Sequence, residues 1–370
     1  MALDFRAKAV AAVQRLTPYL PGKPIEELQR ELGLERVVKL ASNENPLGPS
    51  PSAKTAMAAQ LEECWLYPDG SGYRLKQRLA AHHGVQLAQI TLGNGSSEPL
   101  EFILRALVNQ GDEVIYSQHA FALYPLLTLA VGGRGIAVPA REYGHDLAAM
   151  ADSVGPKTRL IFIANPNNPT GTWLPSRTIY AFMKQLPEEV VVVIDEAYFE
   201  YAHSLRPQEI ADSSQWLGEF PNLMVTRTFS KAHGLAGLRC GYSLSSPELA
   251  DLMNRLRPPF NVNSLALAAA AASIENVSHI ERAVRLNQQG LDYLSESFNA
   301  MGIDFIDSIG NFITFRAPID AAKLYQKLLQ QGVIVRPVAN YELPDSLRVS
   351  VGLEEENQLF IEALRQSLSA

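Results

Sequence analysis

Through the middle of the chain, short unbroken apolar runs alternate with helix-like stretches. "QITLGNG", "DEVIYSQ", "RGIAVPA", "TRLIFIANP", "VVVVIDEAY" and "NLMVTRTFS" read as strands, each four to seven apolar or β-branched positions closed by turn residues. Helices are predicted over Ser97 to Gln110, Tyr124 to Gly132 and Ser176 to Gln185. Strands apolar on both faces and separated by helices predict an α/β fold, a mainly parallel sheet sandwiched by helices. A ligand then sits beyond the carboxyl ends of the strands. Asn94, Asn168, Asp195 and Lys231 all fall at or just after such ends.

After Arg257 the pattern changes. "RPPFNVNS" is a Pro-rich break. A long helical stretch follows, roughly Ser264 to Met301. Then come "FITFRA", a helix from Ala321 to Gln331, "VIVRPV" and "LRVSVG". This reads as a smaller α+β lobe over residues 259–370. Residues 43–258 form the large lobe, and 1–42 an arm plus a piece of the small one.

The length of 370 residues suits two lobes, and 47% apolar with 19% charged residues is ordinary globular composition. A formal charge of −7 without a Lys/Arg cluster argues against a nucleic-acid surface. The two cysteines, Cys64 and Cys240, suit a reducing compartment and read as buried small hydrophobes. The N-terminal "MALDFRAKAVAAV" lacks a signal-peptide core, and "LALAAAAA" is too short to span a bilayer. A cytoplasmic protein with no membrane or nucleic-acid partner is expected.

Four stretches carry chemistry. In "TLGNGSSEPL" a strand gives way at Gly95, Ser96 and Ser97 to a helix, whose unpaired N–H groups suit a phosphate. The alternative is simple capping by Ser96 or Ser97, with Glu98 or Glu101 completing a capping box. A dinucleotide fingerprint is not met, because Glu98 stands where its third glycine belongs and "VIYSQ" ends without an acid. In "ANPNNPTG" two Asn-Pro bonds restrict a turn that aims the Asn168 amide. In "VVVVIDEAYFEY" a fully apolar strand ends in Asp195, a costly position for an unpaired acid. Without a G-x-x-x-x-G-K-[ST] loop a nucleotide-metal role is unsupported; the acid can instead hold a proton on a heterocyclic nitrogen, with Tyr198 donating to a ring oxygen. In "TFSKAHGLAGLRCG", Lys231 and Arg239 stand among small and apolar residues with no acid between them. Together these pieces describe pyridoxal phosphate. Lys231 bonds the cofactor, Asp195 partners its ring nitrogen, and Arg239 grips its phosphate with Thr228 and Ser230 as hydroxyl donors.

The series Asn168, Asp195/Tyr198, Ser230/Lys231, Arg239, in this order, resembles the fold-type I pyridoxal-phosphate aminotransferases over nearly the whole chain. "RLTPYLPGKP", "KLASNENPLGPSP", "LYPDGSGYRLKQRLA", "AGLRCGY", "RPPFNVNSLA" and "LRVSVG" resemble the histidinol-phosphate aminotransferase subgroup. The resemblance implies that Lys231, Asp195 and Tyr198 are catalytic. It implies that Gly95, Ser96, Ser97, Phe121, Asn168, Thr228, Ser230 and Arg239 bind the cofactor. Tyr67 would enter the site of a second subunit, which implies a homodimer with shared active sites. Phe121 and Phe260 stand where relatives carry tyrosine, so ring contact is kept and a hydroxyl is lost.

The resemblance further implies amino-group exchange between histidinol phosphate with 2-oxoglutarate and imidazole-acetol phosphate with glutamate, a step of histidine biosynthesis. Arg348 would take the substrate carboxylate or phosphate, helped by Arg336, Tyr19 and Asn45. The alternatives are a broad aromatic amino-acid aminotransferase of the same fold, a pyridoxal-phosphate decarboxylase of a phosphorylated amino acid, and a non-catalytic cofactor-binding regulator. His82 and His83 read as packing or surface residues, and His119, His145, His203 and His233 form no spaced metal set.

Overall fold

The computed structural model describes residues 4–18 and 22–369. Among the described residues thirteen strands form three sheets. In chain order the first eight are β1 Val38–Lys39, β2 Ile90–Gly93, β3 Glu113–Ser117, β4 Arg134–Val138, β5 Thr158–Ala164, β6 Val191–Asp195, β7 Leu223–Thr228 and β8 Gly241–Ser245. The last five are β9 Phe305–Ile306, β10 Phe312–Arg316, β11 Val333–Ile334, β12 Arg336–Pro337 and β13 Ser346–Ser350.

The large sheet runs β2-β8-β7-β6-β5-β3-β4. Its pairs are parallel from β4 to β7, while β8 runs antiparallel to both β2 and β7. The apolar runs explain the burial: every residue of β6 and β7 is buried, whereas edge strand β4 is mostly exposed and buries only Val138. One face packs against helices Pro51–Gln60, Tyr73–His83, Ser176–Met183 and Ser264–Ile274 through a core that includes Leu79, Ile163, Ile179 and Ala269. The other packs against Ser97–Leu107, Leu123–Ala130 and Pro247–Leu256 through Phe102, Tyr124, Phe162 and Met253. The parallel register aligns Ala164, Asp195 and Thr226 side by side, so the carboxyl ends of β5, β6 and β7 open at one level.

A second core, with Phe298, Phe315, Leu324, Val349 and Phe360, unites the sheet β12-β13-β10-β9 with helices Val277–Ala300, Ala321–Gln330 and Glu354–Ser369. Val38 and Leu40 belong to it, and β1 pairs with β11, so the chain before residue 41 contributes to this part of the molecule.

Three sequence expectations change here. The helical stretch 264–301 is two helices, divided where the Asn276 side chain accepts from the His279 N–H and starts the second. The first, "SLALAAAAASI", buries small side chains in the large-sheet core, so the residues after 258 do not all pack with the small lobe. Cys64 is exposed on the last turn of a helical segment; only Cys240 is buried. His83 is a packing residue whose Nε2 lies 2.9 Å from the Tyr242 hydroxyl. Among the described residues no helix is long and apolar enough to cross a membrane, and no His/Cys/Asp/Glu group is arranged for a metal.

Candidate active site

The ends of β5, β6 and β7, the start of helix Ser97–Leu107 and the segment Ala41–Asn43 enclose a cleft of about 180 Å³. Its walls carry Ser96, Ser97, Phe121, Asn168, Asp195, Tyr198, Thr228, Ser230, Lys231, Arg239, Arg336 and Arg348. Residues scattered over 250 positions of sequence thus meet where the parallel strands end, as the topology requires.

Asp195 closes β6. Its Oδ2 accepts from the Tyr124 hydroxyl at 2.8 Å and its Oδ1 from Thr226 Oγ1 at 3.0 Å. Burial raises the Asp195 carboxyl, and these two donors pull it back toward the ionised form. A cationic partner facing it would complete that stabilisation. Tyr124 in turn is fully buried and stacks on Phe162 at 4.3 Å, which fixes the donor.

Lys231 follows β7. Its Nζ donates to the Ser42 carbonyl at 2.9 Å and lies 5.7 Å from the centre of the Tyr198 ring. Burial lowers its pKa to about 7, helped by the positive charges of Arg348 and, less strongly, Arg239. The amine is therefore substantially neutral near physiological pH, and Arg348 rather than Arg239 is its more influential neighbour.

The start of helix Ser97–Leu107, Ser230 and Arg239 line the same cleft. Ser96 occupies the N-cap of helix Ser97–Leu107 without a side-chain capping bond. The simple-capping alternative therefore does not account for it. Glu98 instead accepts from the Asn94 N–H at 2.7 Å and the Asn261 amide at 2.6 Å. Gly95 has φ +80°, and a Cβ there would meet the Arg239 guanidinium at 2.6 Å, so only glycine lets that side chain lie along the helix start. Arg239 Nη1 donates to Ser230 Oγ at 3.3 Å, and the Ser230 N–H donates to Thr228 Oγ1 at 3.1 Å.

The remaining predicted residues divide. Asn168 forms the second of the two Asn-Pro bonds, both of which are cis, and its Oδ1 accepts from Arg348 Nη1. Arg348 Nη2 donates to the Ala41 carbonyl at 2.7 Å. Arg336 and Arg348 are buried, not turned to solvent. Phe121 meets Tyr124 edge-on. Tyr67 is outside this cleft, 81% exposed and stacked on Phe260 at 4.6 Å. Asn45 is also outside it: its amide donates to the Ala232 carbonyl, a long-range tie, and accepts from the Leu47 N–H in a local turn. Tyr19 lies outside the described residues. Sequence reasoning missed Asn43, Tyr124 and Thr226. The "ASNENP" string offered two asparagines, and only the positive φ of Asn43 distinguishes it; Tyr124 and Thr226 look like ordinary core positions.

The donor set fits pyridoxal phosphate. The cradle of serine hydroxyls, helix N–H groups and Arg239 suits a dianion, Asp195 suits a protonated ring nitrogen, Asn168 and Tyr198 suit a ring hydroxyl, and a buried neutral lysine suits an aldehyde.

Sheet order, lobe arrangement and cleft are those of a fold-type I transferase. The chain belongs to the aminotransferase class I and II family, whose model matches residues 35–364. It is 55% identical over 365 residues to histidinol-phosphate aminotransferase 1 of Nitrosococcus oceani, covering 98% of each chain. It is 52% identical over 368 residues to histidinol-phosphate aminotransferase 2 of Pseudomonas aeruginosa, covering 99% of each. Among solved structures it is similar to histidinol-phosphate aminotransferase from Sinorhizobium meliloti in complex with pyridoxal-5'-phosphate, with a TM-score of 0.90, 29% identity and 98% of both chains covered.

Proposed function

We propose that this aminotransferase uses pyridoxal phosphate to exchange the amino group between histidinol phosphate with 2-oxoglutarate and imidazole-acetol phosphate with glutamate. The observation that carries the reading is that Lys231 shares one cleft with the buried Arg348 and Arg336. When bound, pyridoxal phosphate supplies a ring that withdraws electron density from the substrate's Cα. Arg348 binds the α-carboxylate of glutamate or, in the other half-reaction, the phosphate of histidinol phosphate, with Arg336 beside it. Lys231 Nζ accepts and returns the Cα proton, for which a pKa of about 7 is matched to neutral pH. Asp195 would face the ring nitrogen, Arg239, Ser230 and the helix start would hold the phosphate, and Phe121 would pack beside the ring.

The same reading includes a homodimer with shared sites, in a cytoplasmic enzyme of histidine biosynthesis. It is supported by the apolar surface around Tyr67, where Leu61, Trp65, Leu66 and Phe260 are also exposed.

The test is a single half-reaction. Glutamate added to the loaded protein without an oxo acid should yield one equivalent of 2-oxoglutarate per site and no carbon dioxide. Release of carbon dioxide, or continuous turnover without an acceptor, would contradict amino transfer.

A further inference from the structure

Asn43 is 1% exposed, and its φ of +56° lies in the left-handed region that asparagine tolerates better than most residues. Four hydrogen bonds meet on it. Its N–H donates to Ser350 Oγ at 2.8 Å, and Ser350 Oγ donates back to Asn43 Oδ1 at 2.9 Å. Its carbonyl accepts from Asn311 Nδ2 at 3.0 Å. Its Nδ2 donates to the Tyr198 hydroxyl at 2.9 Å. Ser350 ends β13 and Asn311 precedes β10 in the small-lobe sheet, whereas Tyr198 follows β6 of the large sheet.

This pattern has a polarity. The Ser350 oxygen receives the Asn43 N–H, and its own proton goes to the Asn43 amide oxygen. The amide therefore turns its NH₂ to Tyr198, whose oxygen is the acceptor. The phenolic proton is left to point elsewhere, and Tyr198 lines the cleft. A hydroxyl that accepts one hydrogen bond is also a better donor in the next.

We propose that Asn43 is a positioning residue that fixes the Tyr198 hydroxyl as a donor toward the cofactor ring, its amide oriented by Ser350 of β13 and its backbone held by Asn311 just before β10. The inference rests on the pyridoxal phosphate reading above. Asn43→Asp keeps the shape and the left-handed preference but replaces the N–H donor with a carboxylate oxygen, which draws the phenolic proton to itself. Asn43→Gly keeps the backbone angle and removes the amide.

Pyridoxal phosphate is titrated into the cofactor-free wild type, both variants, and the same three chains carrying Tyr198→Phe. Occupancy is read by equilibrium dialysis and the bound cofactor by its visible absorbance at one pH. Asn43→Asp should raise Kd about tenfold, and Asn43→Gly by a smaller factor, both with a displaced absorbance spectrum. In the Tyr198→Phe background both substitutions should change Kd by less than about twofold, because the path through the hydroxyl is gone. Wild-type affinity and spectrum in both variants would overturn the inference. So would an undiminished loss in the Tyr198→Phe background. If Asn43→Asp does not fold, Asn43→Gly and Ser350→Ala complete the same cycle. A wild-type chain that takes up no pyridoxal phosphate defeats the proposed function itself; one that binds it while the variants behave like wild type defeats this inference alone.

Discussion

Arg336 and Arg348 stand directly opposite one another across the antiparallel pair β12–β13, at 8% and 5% exposure. An anion held beside both would meet two guanidinium groups at once. In the proposed function, the carboxylate of glutamate and the phosphate of histidinol phosphate would be such anions.

Removing each arginine should therefore separate the two half-reactions. Arg348→Gln should lower kcat/KM for both glutamate and histidinol phosphate, by about 10- to 100-fold for a lost charged hydrogen bond. Arg336→Gln should act mainly on the phosphorylated substrate. Equal losses for both substrates in both variants would contradict the division of labour.

The lowered pKa of Lys231 predicts a pH dependence for cofactor uptake. Only the neutral amine can attack an aldehyde. The folded pKa of about 7 lies below the usual lysine value, so the neutral fraction grows as pH rises through 7. Stopped-flow uptake of pyridoxal phosphate by the cofactor-free protein should rise about tenfold per pH unit below 7 and level off above about 8. In Arg348→Gln the repulsion is weaker, the pKa is higher, and the midpoint should move to more alkaline pH. A rate that keeps rising toward pH 10 in the wild type would contradict the assignment.

Much of this site could be read from the sequence, because strand-end positions are marked by chemistry out of place. Asp195 ends an all-apolar run, and Lys231 and Arg239 sit in a Gly/Ala/Leu stretch. The cores of the large sheet were legible for the same reason, in runs such as Val190–Ile194. What was hidden depends on contacts far apart in the chain. Tyr124 and Thr226 donate to Asp195 from a helix and a neighbouring strand, and neither looks unlike a core residue. Asn43 was hidden by its neighbour Asn45, since only the backbone angle and Ser350 some 300 residues away decide which asparagine turns inward. The packing of helix Ser264–Ile274 into the large-sheet core is hidden too, because small alanines do not state which surface they pack on.

A buried ion cluster on the other face of β6 and β7 supports the same strand ends. Arg227 donates through Nε and Nη2 to Glu196 Oε2 at 2.8 and 2.6 Å, and through Nη2 to Asp212 Oδ1 at 2.9 Å. Arg227→Met leaves two carboxylates facing each other without their cation. It should destabilise the fold by about 3–5 kcal/mol, the usual cost of breaking a buried pair. Urea unfolding of the cofactor-free protein measures this, and a loss below about 1 kcal/mol, the range of an exposed pair, would show that water reaches the cluster.

Shared sites predict rescue between inactive chains. If Tyr67 serves a neighbouring subunit, Lys231→Ala chains still lend their tyrosine, and Tyr67→Ala chains still supply their lysine. A mixed dimer then holds one intact site and one doubly damaged site. Mixing the variants under proven subunit exchange should restore activity toward about a quarter of wild type for random pairing. No rescue, given a strong Tyr67→Ala defect, would mean that Tyr67 acts within its own subunit.

The most direct measurement of the proposed activity is kcat/KM for histidinol phosphate, phenylalanine, tyrosine and aspartate with one preparation and 2-oxoglutarate as acceptor. If two buried arginines select the phosphorylated substrate, histidinol phosphate should lead phenylalanine and tyrosine by at least about 100-fold, the worth of one or two charged hydrogen bonds. Equal or greater efficiency with phenylalanine or tyrosine would contradict the assignment and make the protein a broad aromatic aminotransferase.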